Sequence, residues 1–282
     1  MFYSVICLLS VVVCVLGFSR ESITGFYAGY LEVCRKAAED SFFLENFRSM
    51  TPYRIAFEID EGEPFAQYIR NRWKYLQGDL EDFRMLDKMG NAPTENYEGL
   101  GLFSATTLRY IFHADQIKIH LNLPQGAKIV EIGAGFGGQA YVLRKFCPFS
   151  KYYIYDLPEV EELIAKVMTV LGVQNVHCLP IEVDLPEEKI DLFISNYAFS
   201  ECDREMQLHY FEKVIKKAQR GYMIYNQLAT IDCGVDSIPL GEFVSLLKEI
   251  GCKPKVFSEF FSGAGNSVIL WDKTKDRKEG QK

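Results

Sequence analysis

A carboxylate running straight into glycines is the part of this sequence richest in chemistry. Glu131 closes the apolar stretch Lys128-Ile129-Val130, and Ile132-Gly133-Ala134-Gly135-Phe136-Gly137-Gly138 follows. A helix is expected from Gln139-Ala140-Tyr141-Val142-Leu143. Glycine is suited to such a loop because it turns tightly, accepts positive φ and lets a ligand touch bare backbone. The helix behind the loop starts with unpaired N–H groups. An acid at the strand tip repels phosphate and attracts a cation, so the ligand it suits carries positive charge.

The spacing alone leaves two ligand classes open. Gly133, Gly135 and Gly138 satisfy G-x-G-x-x-G, which serves dinucleotides. The same loop behind an acid suits the ammonium and sulfonium of S-adenosylmethionine, and a merely structural glycine loop is a third reading.

What must position these residues is an alternation of short apolar runs with amphipathic helices. Strands are expected at 128–132, 152–155, 176–179, 190–195 and 221–225. Val160, Leu163, Ile164, Val167, Met168 and Leu171 form one apolar helical face; Met206, Tyr210, Phe211, Val214 and Ala218 form another. Pro239 opens a last helix that Gly251 stops. Strands 255–260 and 267–271 follow, joined by a connection too short for a parallel crossover, so one of them runs antiparallel. The expected fold is α/β: a doubly wound, mostly parallel seven-stranded sheet with an antiparallel C-terminal hairpin. That is the plan of a class I methyltransferase, a Rossmann-like fold, and it favours the methyl donor over a dinucleotide. Residues 20–127 read as a helical, aromatic-rich region with helices near 22–48, 64–77, 79–88 and 104–121 and possible N-caps at Ser104 and Thr106. Residues 128–272 form the donor-binding domain, and 273–282 a solvated charged tail.

In doubly wound sheets ligands sit off the carboxyl ends of the strands. The residues found there are Asp156 and Leu157 after the second strand, Glu182 and Asp184 after the third, Asn196, Tyr197 and Glu201 after the fourth, and Asn226 and Gln227 after the fifth. Asp156 suits two ribose hydroxyls, or alternatively acts as an acid favourable to a helix N-terminus. Asp184 or Glu182 suits an adenine amino group, or is plain loop. Strand ends four and five carry mostly Asn, which speaks against a metal; scattered cysteines with no C-x-x-C speak against zinc.

The 282 residues carry a formal charge of −7, which argues against a nucleic-acid partner. Met1–Phe18 is apolar, short for a bilayer span and about right for a signal-peptide core, yet no basic residue precedes it. Residues 1–19 are expected to be a signal peptide or a membrane anchor, with residues 2–18 the possible membrane contact, and a buried N-terminal helix is the third reading. The catalytic part would then lie in a secretory-pathway lumen or face the cytosol.

Four strings resemble the sugar O-methyltransferase family: Lys128–Gly138, Tyr153-Ile154-Tyr155-Asp156-Leu157-Pro158-Glu159-Val160, Ser195-Asn196-Tyr197-Ala198-Phe199-Ser200-Glu201 and Gly221-Tyr222-Met223-Ile224-Tyr225-Asn226. Gly90-Asn91 and Ser104–Tyr110 resemble its upstream segment, and the likeness spans about residues 80–271. Ala134 and Phe136 depart from the Gly and Tyr expected there, and the apolar leader is not a family feature. The resemblance implies methyl transfer from S-adenosylmethionine to a carbohydrate hydroxyl. Glu131, Gly133, Ala134, Gly135, Gly137, Gly138, Asp156, Leu157, Asp184 and Asn196 would bind the donor. Asn91, Arg109, Tyr197 and Asn226 would bind the sugar. A base is needed because the hydroxyl has a high pKa. Glu201 is the first candidate, with His113 and His209 as alternatives, although each of the three also reads as an ordinary capping, packed or solvated residue.

Overall fold

The computed structural model describes residues 20–76, 80–226, 236–259 and 265–273. The apolar leader, Gln227 and residues 274–282 of the tail lie outside them. No helix among the described residues is long and apolar enough to cross a membrane.

Alternating apolar residues make each central strand two-faced. These strands are β3 (Ala127–Ile132), β4 (Phe149–Tyr155), β5 (Val176–Cys178), β6 (Leu192–Asn196) and β7 (Arg220–Asn226). All five run parallel, whereas β9 (Asn266–Asp272) pairs antiparallel with both β7 and β8 (Lys255–Ser258). The sheet order is β5-β4-β3-β6-β7-β9-β8. The expected seven-stranded sheet with its C-terminal hairpin is thus present, and the order reverses beside β3, where such sheets open a crevice.

Side chains of period two divide the core between the faces. Ile129, Ile154 and Ile224 pack with helices α7 (Gly138–Phe146) and α8 (Pro158–Val170). Val130, Ile132, Tyr153 and Met223 pack on the other face with α10 (Arg204–Lys213) and α11 (Leu240–Glu249). Between β6 and α10 lies one short helix, α9 (Ala198–Glu201).

The N-terminal helices join the first face: Tyr30, Phe47, Phe83 and Phe103 belong to the same core as Ile129. They are α1 (Arg20–Glu39), α2 (Ser41–Asn46), α3 (Tyr53–Phe57), α4 (Glu63–Leu76) and α5 (Leu80–Asp87). The helical segment expected near 22–48 is divided at Asp40, whose backbone is extended and whose side chain caps α2 by accepting from Phe43 N at 3.1 Å. The helical region expected over 20–127 is present, and it also holds β1 (Thr94–Tyr97) and β2 (Gly101–Ser104), which form an antiparallel hairpin. Four-residue strands leave almost no periodicity to read, and the turn depends on positive φ at Gly99 and Gly101.

Helix α6 (Ala105–His120) carries the N-terminal contribution to the site. Ser104 is its cap, accepting from Thr107 N at 3.1 Å, and Asp87 in turn accepts from Ser104 N and Oγ. Thr106 does a different job: its hydroxyl accepts from Ile59 N at 3.2 Å, fixing residues 55–59 over the carboxyl end of the sheet.

Candidate active site

Three positive φ values, at Gly133, Gly135 and Gly137, turn the chain from β3 into α7. Gly133 N donates to Tyr155 O at 3.0 Å, and Ala134 N donates to Asp156 Oδ2 at 2.8 Å. The loop and the end of β4 are therefore one hydrogen-bonded unit. Gly135 faces Phe57, such that a Cβ there would lie 2.6 Å from the ring, which itself stacks with Tyr30 and Tyr53. Gly135→Ala combines a backbone strain with that collision, and a loss of about 1–3 kcal/mol is expected in denaturant unfolding. In a Phe57→Ala background the same substitution should cost less, since the collision is gone and only the strain is left.

A cavity of about 260 Å³ opens at the carboxyl ends of β3, β6 and β7. Glu131, Gly133 and Ala134 form one wall, and Asn196, Tyr197, Ala198, Glu201 and Asn226 another. Arg109, Tyr110 and His113 of α6 close it from the N-terminal side, and residues 55–59 roof it.

Each wall has a definite electrostatic state. Burial pushes the Glu131 carboxyl up to about 8, against the lowering effect of Tyr152 OH, which donates to Oε2 at 2.7 Å. Burial likewise raises Asp156 to about 7, despite the N–H groups of Leu157, Ala134 and Gly135 that favour its charged form. His113 goes the other way: burial first, and then the Arg109 charge, hold its imidazole well below the ordinary value, so it is neutral. Its Nδ1 lies 2.8 Å from Tyr222 OH, while Nε2 is buried with no hydrogen-bond partner among the described residues. Asn196 Oδ1 is a second buried atom with no partner among the described residues. Buried polar atoms left unsatisfied cost stability, and both of these belong to residues on one cavity's wall.

Tyr197 holds a positive φ of 74°, unfavourable for a side chain of its size, and its hydroxyl donates to Glu259 Oε1 at 2.6 Å. Its ring sits 5.7 Å from the Arg109 guanidinium. Glu201 is buried and accepts from Asn226 Nδ2 at 3.3 Å.

Several residues singled out from the sequence are not brought to the cavity. His209 is exposed on α10, and Asp184 is an exposed acid paired with Lys213 at 2.5 Å. Asn91 is an exposed turn residue whose amide donates towards Asn46 and Ser49. Asp156 and Leu157 stand at the far side of the loop, where Tyr30 and Cys34 of α1 feel the Asp156 charge. Gly135, Gly137 and Gly138 face Phe57, Met168 and Tyr110 instead of open space.

One residue behind the site carried no sequence signal. Arg48 is fully buried, its Nε and Nη2 donating to the two oxygens of Glu58 at 2.6 and 3.0 Å. It also donates to Leu86 O and Ser104 Oγ and lies over the Phe136 ring of the glycine loop. Glu58, thus neutralised, is part of the cavity roof.

No family model and no curated protein matches the sequence. Among solved structures, the chain is similar to a SAM-dependent methyltransferase from Aquifex aeolicus, at 17% identity and a TM-score of 0.45 over 69% of this chain and 98% of that one. It is similar to a mitomycin 7-O-methyltransferase at 16% identity and 0.46, over 71% of this chain and 60% of that one. It is also similar to an O-methyltransferase family 2 protein from Planctomyces limnophilus, in complex with apigenin, at 16% identity and 0.43 over 57% and 56% of the two chains. These are likenesses of fold, and the chain spans less than two thirds of the latter two proteins.

Proposed function

We propose that the protein is an S-adenosylmethionine-dependent O-methyltransferase acting on a sugar hydroxyl. The observation that carries this reading is the meeting of Glu131, the glycine loop and two unpartnered buried atoms, His113 Nε2 and Asn196 Oδ1, around one cavity. The residues on the cavity fit the donor's ammonium, since Asn196 Oδ1 can accept from it and Glu131 offers a carboxyl beside it; Asp156, buried across the loop, would meet ribose hydroxyls only once the Phe57 ring had moved off Gly135. When bound, the donor supplies an electrophilic methyl group on a positively charged sulfur. The acceptor oxygen forms the new C–O bond as the C–S bond breaks, and its proton passes to His113 Nε2. For that, Nδ1 must carry the ring's own proton and donate it to the Tyr222 oxygen, which fixes the tautomer. The cavity walls contribute by alignment, since holding reactants in register is worth several kcal/mol of barrier. The Phe57 ring covers Gly135, so residues 55–59 adjust when the donor lies along the loop.

Calorimetry tests the reading with S-adenosylhomocysteine and NAD in parallel. Micromolar affinity for the former and none for NAD is the expected result. NAD binding alone would establish an oxidoreductase, and binding of neither would leave a scaffold of the same fold.

The two raised carboxyls add a pH dependence. Glu131 near 8 and Asp156 near 7 keep protons that a cationic donor displaces. Donor affinity should therefore rise between pH 6 and 8 and level off above, by up to about tenfold per pH unit for each proton released. Calorimetry at pH 7 in two buffers of different ionisation heat reads the released protons directly. Identical heats in both would show that neither acid titrates on binding.

A further inference from the structure

Arg109 is set apart from its kind. Among the described residues whose side chains are placed, every other arginine lies within 4 Å of an Asp or Glu carboxylate; Arg109 has none. Its recorded partners are the Phe57 carbonyl oxygen at 3.4 Å and the Tyr197 ring. It is half-buried, lines the cavity, and stands one helical turn before His113 on the same face of α6. A guanidinium presents a planar fork matched to a carboxylate and stays charged at any working pH.

The other charges in the cavity do not neutralise it. Glu58 is engaged by Arg48, Glu131 accepts from Tyr152 OH at 2.7 Å, and Glu201 accepts from Asn226. Among the described residues, the cavity therefore presents one cation without a carboxylate beside a neutral imidazole.

We propose that Arg109 is the counter-ion of a carboxylate on the acceptor, so that the methylated sugar is an acidic, uronate-type one. This rests on the methyltransferase reading above and narrows its substrate class. The carboxylate would seat on Arg109 and place a neighbouring hydroxyl at His113 Nε2, one turn along the helix. Pairing Arg109 would also remove the charge that opposes protonation of His113, making the imidazole a better base when the right acceptor is in place.

The test compares glucuronate, glucose and glucose 6-phosphate as acceptors for the full protein with S-adenosylmethionine, reading methylated product by mass spectrometry and KM for each. Binding of glucuronate and glucose is measured separately, with S-adenosylhomocysteine present. Glucuronate should be preferred over glucose by about 30-fold or more, and Arg109→Gln should erase that preference. The same variant should keep its affinity for S-adenosylhomocysteine within about twofold. A preference for glucose, or for the phosphate ester, overturns the proposal, as does donor binding with no methylation of any of the three. If Arg109→Gln weakens S-adenosylhomocysteine but not methylthioadenosine, Arg109 holds the donor's own carboxylate and the proposal also fails. Absence of S-adenosylhomocysteine binding in the parent protein is a separate outcome: it removes the methyltransferase reading, and with it this inference.

Discussion

Arg48→Met should destabilise the protein by about 3–5 kcal/mol, the largest stability effect anticipated for any single substitution in the N-terminal region. The guanidinium is fully buried, with both oxygens of Glu58 and the Asp87 carboxylate as its acidic partners. Removing it strands those acids in a dry interior, where an unpaired charge costs more than the pair ever contributed. It also removes the donors to Leu86 O and Ser104 Oγ and the cation resting on Phe136. Denaturant unfolding measures the loss. Arg48→Met with Glu58→Leu should be clearly more stable than Arg48→Met alone, because an apolar pair of similar volume leaves no orphaned charge at that position. If the single variant loses under 1 kcal/mol, the buried network is not what ties residues 48–58 to the glycine loop.

The second large effect concerns turnover. His113→Asn should lower kcat by about 10² to 10⁴, the usual worth of a positioned base. Asparagine reproduces the polar atom near Nδ1 that meets Tyr222 and deletes Nε2, so the fold and the donor affinity should persist. Tyr222→Phe should cost less, since it frees the tautomer and leaves the ring in place. Glu201→Gln is the informative contrast. The Glu201 carboxylate already accepts from Asn226, whereas His113 Nε2 has no hydrogen-bond partner among the described residues. A collapse of kcat in Glu201→Gln with His113→Asn near full activity would transfer the base role to Glu201.

Much of the central domain was legible in the chain because its signals are local. Strand β3, the glycines and the start of α7 lie within a dozen residues, and strict alternation divides Ile129 and Val130 between opposite faces of the sheet. The short link between β8 and β9 required an antiparallel pair, and the pair is there. Strand ends were found to within a few residues, with β4 starting at Phe149 where 152 was expected.

Residues 20–127 were harder, for physical reasons that can be named. The β1–β2 hairpin is too short to show a period, and its register comes from two glycines and from the helices it packs against. Asp40 breaks a helix whose apolar pattern continues past it, because its side chain serves the backbone better as a cap. Arg48 was silent, as a lone arginine between aromatics reads as surface until the fold buries it.

At the site the division is similar. Glu131, Gly133, Ala134, Asn196, Tyr197, Glu201 and Asn226 were marked by their place after strands, and the cavity gathers all seven. The roles of the histidines depended on which face of a helix met the sheet: α6 turns His113 inward against Tyr222, whereas α10 leaves His209 in solvent. Composition and order along the chain determined the sheet, the glycine loop and the acid beside it, because those depend on neighbours a few residues apart. The tertiary structure alone decided the surroundings of His113 and Arg109, because the groups that face them, Tyr222, Phe57 and Tyr197, lie 52 to 109 positions away.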